Sequence, residues 1–232
     1  MAAYYEEAAA QWYRDAYAEG KMLRRYSDAP CSALVEFTQS PYFPKDGAVV
    51  DYACGEGIDA VHLARQGCRV VGIDVAADAI VKARQLAAKA GVTAQFDVGD
   101  MISCPGLPSG QFDLALAIAC FGWLLEDAHR AAFLRETARV LKPGGWLFFN
   151  NGILFREIEQ SFPEVYAKLR ERPQFEEWLK EERAGRYVSP SQRYETREGY
   201  EQLLKEAGYV IIHTHLDVSE NAWGIVIWAR KQ

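Results

Sequence analysis

The sequence predicts an α/β fold: a doubly wound, mostly parallel, seven-stranded sheet with a C-terminal antiparallel hairpin, a helical N-terminal segment and a helical cap insertion. Three observations carry that expectation. Between residues 45 and 150, short runs apolar on both faces alternate with amphipathic helical stretches, the pattern of a parallel sheet covered on both sides. The last two apolar runs, "YVIIHTHLDV" and "WGIVIWAR", are separated only by the polar "SEN" and read as a hairpin. A long segment, 151–196, lies between the fifth strand and the last helix. Compact connections take roughly 2–6 residues, so this one is an insertion.

In chain order, residues 4–26 read as helix, with Tyr5, Trp12, Tyr13 and Tyr17 at helical spacing. Ser27 is placed to cap a second helix, with Pro30 near its first turn and a body through about Thr38. "SPYFPKDG" breaks the chain before "AVVDYA", the first strand. A helix from Ile58 to Gln66 turns Val61 and Ala64 inward and stops at Gly67. "RVVGID" is the second strand, and a helix from Asp78 to Ala90 buries Ile80, Ala83 and Ala87 before Gly91. "TAQFDV" and "FDLALAIA" follow as strands. Asp127 is expected to cap a helix burying Ala131, Leu134, Ala138 and Leu141, ahead of strand "WLFFN". The insertion holds helical stretches at Ile153–Arg170 and Gln174–Ala184, and a final helix spans Arg197–Ala207. Four regions result: an N-terminal helical cap, 1–44; a ligand-binding core, 45–150; a cap insertion, 151–196; and completion of the core sheet, 197–232.

Composition narrows the function. The net charge is −6, and no Lys/Arg run marks a phosphate-tracking surface, so no nucleic-acid partner is expected. The five cysteines, Cys31, Cys54, Cys68, Cys104 and Cys120, are odd in number and form no C-x-x-C. The N-terminus lacks a signal-peptide pattern, and the longest apolar run, Leu114 to Leu125, is too short to span a bilayer. A cytoplasmic protein with no membrane partner is expected.

The informative stretch is "VVDYACGEGIDA". Gly55, Gly57 and Ala60 fit the dinucleotide pattern G-x-G-x-x-G/A, and Asp74 at the end of the next strand is placed to bind ribose hydroxyls. An NAD(P)-dependent dehydrogenase is therefore one reading. Asp51 opposes it. A carboxylate at about 4 Å from a pyrophosphate costs roughly 1–4 kcal/mol, depending on the local dielectric. Glu56 adds to that repulsion if it points inward. A ligand with ribose and adenine, no phosphate and a cation near the glycines removes the conflict. S-adenosylmethionine, with an ammonium and a sulfonium, is such a ligand.

Five motifs in order then resemble the class I S-adenosylmethionine-dependent methyltransferases of small-molecule type. The resemblance covers about 45–150 and 196–231. "VVDYACGEG" resembles the family's first motif through Asp51, Gly55 and Gly57, with Ala53 where the family usually has glycine. "VVGIDVAADAI" resembles the second, which implies Asp74 as the ribose acid and Val75 against adenine. "GDMISCP" implies Asp100 at the adenine amino group and Met101 beside the ring. "FDLALAIACFGWL" implies that carbonyls near Ala117 and Ile118 meet the methionine ammonium, and "ARVLKPGGWLFF" resembles the approach to strand five. The implied activity is in-line methyl transfer to an N, O, S or C atom of a small molecule. A non-catalytic S-adenosylmethionine-binding module is the other reading that keeps this pocket. Neither needs a metal, and no residue stands out as a catalytic base.

Each candidate also has an ordinary structural use. Asp51, Asp74 and Asp100 are strand-end acids of the sort that cap or hold turns. Trp123, beyond strand four, reads as core or as acceptor-pocket wall. Tyr13, Tyr17, Arg186, Arg193 and Tyr194 read as helix packing and solvated loop, or as a lid gripping a planar or anionic acceptor. Ile211, His213, His215 and Asp217 alternate along one strand; packing or solvent explains them more simply than metal. Cys120 reads as a buried small hydrophobe, His62 as a boundary residue and His129 as exposed.

Overall fold

The computed structural model describes residues 11, 29–172, 175, 179, 192–218 and 223–232. The helix expected at 4–26 (apart from Gln11), with Tyr13 and Tyr17, lies outside the described residues. So do Ser27, Arg186, most of 174–184 and the hairpin turn.

Seven strands form one sheet: β1 Ala48–Tyr52, β2 Arg69–Asp74, β3 Gln95–Val98, β4 Phe112–Ile118, β5 Leu141–Asn151, β6 Tyr209–Val218 and β7 Trp223–Lys231. Their spatial order is β3-β2-β1-β4-β5-β7-β6. The first five are parallel, and β7 runs antiparallel to both β5 and β6. The chain winds outward from β1 in one direction and from β4 in the other. The crevice between them, at the carboxyl ends, is where open α/β sheets bind ligands.

Helices cover both faces, as the two-sided apolar strands require. One face packs against α1 (Ser32–Gln39), α2 (Ile58–Arg65) and α3 (Ala77–Ala90) through Leu34, Phe37, Leu63, Ile80 and Ala83. The other packs against α4 (Asp127–Val140), α5 (Phe155–Ser161), α6 (Pro163–Leu169) and α7 (Arg197–Glu206) through Phe133, Leu134, Ile158, Tyr166, Tyr200 and Leu204.

Four local expectations are corrected. The helix α1 starts at Ser32, so Pro30 precedes it; its N-cap residue, Cys31, donates its N–H to Asp59 Oδ1 at 2.8 Å. In α4, Asp127 is the first helical residue, and the buried face is Arg130, Phe133, Leu134, Glu136, Thr137 and Val140. Ala131 is exposed and Leu141 already begins β5, so the apolar phase sits one residue earlier than read. The stretch 153–170 is two helices, because Phe162 leaves helical geometry and Pro163 opens α6 at its first position. The β6 strand carries a register shift between Ile211 and His213. Ile211 therefore packs on the α4/α7 face, while His213 stacks on Trp228 of the opposite face at 4.3 Å.

"ARVLKPGG" has a structural use. Arg139 donates to the carbonyls of Leu107 (2.9 Å) and Cys104 (3.1 Å) and pairs with Glu136 at 2.6 Å. It fixes the loop between β3 and β4.

The largest buried side chain of the short α1 is Phe37. Phe37 is fully buried, and its ring meets Phe43, Trp146, Phe148 and Trp228 at centroid distances of 5.1–6.2 Å. Phe37→Ala should destabilise the protein by about 3–5 kcal/mol, measured by urea unfolding. A loss below 1 kcal/mol would mean that α1 contributes little to the fold.

Candidate functional site

The turn leaving β1 is built from three left-handed residues at alternate positions: Ala53 (φ 54°), Gly55 (φ 53°) and Gly57 (φ 77°). For an L side chain this conformation costs roughly 1–2 kcal/mol, which gives a physical reason for glycine at the Ala53 position in the family it resembles. Backbone bonds hold the turn: Cys54 N–H to Ile73 O (3.0 Å) and Gly57 N–H to Cys54 O (2.9 Å). Gly57 has a packing role. A Cβ there would press on Ala83 of α3 and the Phe96 ring at 2.8–2.9 Å.

Three carboxylates converge here. Asp51, in β1 between Gly72 of β2 and Leu116 of β4, is 3% exposed, and its Oδ2 has no hydrogen-bond partner. Burial holds its carboxyl well above the usual range, and Asp59 and Asp74 add to that. Asp59, in the first turn of α2, is pushed up to about 6 by burial, partly offset by the bond from Cys31 N–H. Asp74 accepts from Gly55 N–H at 2.8 Å and from Ala76 N–H at 2.9 Å. Burial raises its carboxyl and those backbone donors pull it back. Asp74 thus ties the glycine turn to the start of α3, the turn-holding use that its strand-end position suggested. Glu56 is engaged by Lys82 at 3.0 Å, which leaves the repulsion argument to Asp51.

Beside this turn Val75 is 40% exposed at the end of β2. Asp100 Oδ1 accepts from Ile102 N–H at 3.0 Å, so Asp100 holds its own loop, and Met101 packs half-buried against the core. At the end of β4, Ala117 is fully buried and its carbonyl accepts from Asn151 Nδ2 at 2.9 Å. Asn151 Oδ1 in turn accepts from Phe121 N–H at 2.8 Å. Ile118 pairs with Asn150, and the next residue, Ala119, is left-handed (φ 53°). Burial pushes the Cys120 thiol up, which leaves it a small hydrophobe.

On the β4/β5 side, Trp123 ends a 3-10 turn, Phe121–Trp123, and is half-buried. Arg193 is fastened to this loop: its N–H donates to Gly122 O (2.7 Å), and its guanidinium to Leu125 O (3.0 Å) and Asp127 (2.6 Å). The Tyr194 ring lies against Gly122 and Gly152, which follow β4 and β5, where any added Cβ would collide with it. Its hydroxyl donates to Gln192 Oε1 at 2.8 Å. The structure therefore brings Asp51, Ala53, Gly55, Gly57, Asp74 and Val75 together at the ends of β1 and β2. Ala117, Ile118, Trp123, Arg193 and Tyr194 gather at the ends of β4 and β5. The sequence reading missed Asp59, Asn151, Arg130 and Glu195. Asn151 directly follows the predicted strand "WLFFN", which was its one available signal. Among the described residues no group of three or more His, Cys, Asp or Glu is placed to hold a metal ion, and no helix is long and apolar enough to cross a membrane.

Residues 49–145 match the family model of a methyltransferase domain. By that match, this part of the chain resembles a methyltransferase domain. The domain is 30% identical over 146 residues to a ubiquinone biosynthesis O-methyltransferase of Sodalis glossinidius (strain morsitans), an alignment covering 63% of this chain and 56% of that protein. The chain thus spans little more than half the length of that curated relative. In fold, it resembles a 1,6-didemethyltoxoflavin N1-methyltransferase of Burkholderia thailandensis solved with S-adenosylhomocysteine. The TM-score is 0.70 at 19% identity, over 97% of this chain and 89% of that one. It also resembles the magnesium protoporphyrin IX methyltransferase of Synechocystis PCC 6803, with a TM-score of 0.68 at 14% identity, over 96% and 99%.

Two outcomes follow for the glycine turn. Ala53→Gly should relieve left-handed strain and stabilise by up to about 1 kcal/mol, read as a higher unfolding midpoint; no gain would mean that the turn relaxes around alanine. Asp59 is raised from about 4 unfolded to about 6 folded, so the folded protein binds the extra proton. Its contribution is neutral below about pH 4 and grows more unfavourable as pH rises through 6. Asp59→Asn should therefore leave ligand-free stability unchanged at pH 4 and raise it increasingly up to pH 7. A constant difference across that range in thermal scans would refute the assignment.

Proposed function

We propose that this protein transfers a methyl group from S-adenosylmethionine to an N, O, S or C atom of a small-molecule acceptor by in-line displacement. The observation that carries the reading is the buried, unpartnered Oδ2 of Asp51 in β1, just ahead of the glycine turn. A cation suits that oxygen and a pyrophosphate does not. The cofactor would supply an electrophilic methyl on a sulfonium.

The chain's own residues do the rest. Asp51 draws the cationic methionine end to the turn, which Ala53, Gly55 and Gly57 leave low enough for close backbone approach. Asp74 keeps lone pairs for the ribose hydroxyls while its backbone bonds fix its orientation. Val75 offers an exposed apolar surface to adenine, with Met101 and Asp100 closing that side. Ile118 and the carbonyls beyond Ala117 receive the ammonium; Ala117 itself is already engaged by Asn151. Trp123, Arg193 and Tyr194 border the acceptor, with Arg193 acting as the fastening of the 192–195 segment more than as a free binding group. The parts of 1–44 and 151–196 outside α1, α5 and α6, which pack on the faces of the sheet, serve as the cap, and Tyr13 and Tyr17 belong to its N-terminal part. Orientation and exclusion of water in such a site are worth about 7–11 kcal/mol of barrier. A small acceptor in the cytoplasm fits the acidic charge and the cap better than nucleic acid does.

Calorimetry should show micromolar binding of S-adenosylmethionine and S-adenosylhomocysteine and none of NAD. Tight NAD binding with no response to S-adenosylhomocysteine would defeat the proposal. Because Asp74 also holds Gly55 and Ala76, the discriminating variant is Asp74→Asn, which keeps one acceptor oxygen. It should weaken cofactor binding by about 1.5–3 kcal/mol. An unchanged dissociation constant in the folded variant would make Asp74 purely structural.

A further inference from the structure

The glycine turn carries more negative charge than its geometry uses. Asp74 is satisfied, since its two oxygens accept from Gly55 N–H and Ala76 N–H. Asp51 is not: it is 3% exposed and its Oδ2 has no hydrogen-bond partner. Asp59 stands two residues beyond Gly57, in the first turn of α2, and its Oδ1 accepts from Cys31 N–H at 2.8 Å. Among the described residues, neither Asp51 nor Asp59 has an ion-pair partner.

The two acids belong to one locus at the carboxyl end of β1. After burial, Asp59 is the largest influence raising the Asp51 carboxyl, ahead of Asp74 on the adjacent strand. Asp59 is also held in place from the β5 side, because Cys31 Sγ accepts from Asn150 Nδ2 at 3.4 Å. The other groups around the pair bring no counter-charge. Cys31, Cys54 and Cys120 are thiols that burial holds neutral. Asp217 of β6, which acts on Cys31, is another acid. On α2 itself, His62 bonds to Gln66 and is kept neutral by burial, and Arg65 is exposed.

Burying carboxylates together without a counter-charge costs free energy. The one bond that Asp59 makes, from a backbone N–H, would be accepted equally well by a neutral asparagine. Its negative charge has a use only when a cation enters.

Resting on the methyl-transfer reading, we infer that Asp59 is a specificity-determining residue of the cofactor pocket: with Asp51 it selects ligands that carry an ammonium, and the pocket releases a proton to solvent as that cation enters. The pair thus favours the whole cofactor over its nucleoside part. Burial pushes the Asp59 carboxyl up to about 6 in the ligand-free protein. A cation beside it pulls that carboxyl back down, so on the acid side the ligand has to displace a proton. Affinity is therefore full above about pH 7 and falls as pH drops through 6. The Asp59→Asn substitution that relieves the ligand-free protein should weaken its hold on this ligand.

The probes are S-adenosylhomocysteine and 5′-methylthioadenosine, which shares the adenine, ribose and thioether but lacks the amino-acid end. Asp74 serves both through the ribose, so its own titration cancels in the ratio of their affinities. By calorimetry, the preference for S-adenosylhomocysteine should fall at least about threefold from about pH 7 to about pH 5. Asp59→Asn keeps the acceptor for Cys31 N–H and should lower that preference at about pH 7 by at least about fivefold, with a flatter pH profile. A wild-type preference that moves less than this with pH overturns the inference, and that measurement decides alone if the variant does not fold. So does a preference that Asp59→Asn leaves unchanged, because a merely structural Asp59 would weaken both probes together. S-adenosylhomocysteine binding with a flat ratio defeats this inference alone; no binding at any pH defeats the methyl-transfer reading and the inference with it.

Discussion

The site depends on the bond between Asp74 and the Gly55 N–H. A glycine turn in three left-handed steps has few contacts of its own, because glycine brings no side chain. Asp74 supplies the missing constraint from the neighbouring strand. One oxygen fixes the middle of the turn and the other fixes the backbone entering α3. The β1 turn and the β2 end therefore move as one body, and Asp51 is held between them with one oxygen unmatched. Burying such a group costs free energy unless something meets it. Strain and unmet polarity concentrated in one crevice are expected where a ligand is to be bound.

A second clamp does the same for the other half. Asn151 reaches from β5 to the Ala117 carbonyl and to the Phe121 N–H, so the β4 end and its loop are tied to a neighbouring strand. Arg193 then fastens the return of the insertion to that loop. Each half of the crevice is braced laterally, strand to strand. The sheet passes its rigidity to irregular backbone, which is what places loop side chains reproducibly.

Much of this was legible in the sequence. The mostly parallel seven-stranded sheet and its closing antiparallel hairpin followed from the pattern, because two-sided apolar strands alternating with helices and a short polar turn leave few alternatives. Asp51 and Asp74 were found because carboxylates beside glycines conflict with the simplest ligand. The rest was hidden for identifiable reasons. Asp59 caps a helix distant in sequence, so no local pattern marks it. Arg130 occupies an inward position on α4 that a charge seldom takes, which is why the apolar phase there was read one residue late. The bulge in β6 separates Ile211 from His213, a break that strict alternation of side chains cannot show. Tyr194 was selected by composition; only the two glycines beneath it, Gly122 and Gly152, explain why a ring fits there.

That bulge has a consequence outside ligand binding. The β6 strand is ten residues long and forms one edge of the sheet, with Val210 and Ile212 exposed. A long, regular, apolar edge is a template for another chain and the usual starting point of aggregation. The shift between Ile211 and His213 interrupts the donor and acceptor rhythm part-way along. A flat strand arriving from a second molecule can match one half of β6 or the other, but not both in a single register. The irregularity that misleads a reading of side-chain alternation thus also keeps the open edge of the sheet from recruiting copies of itself.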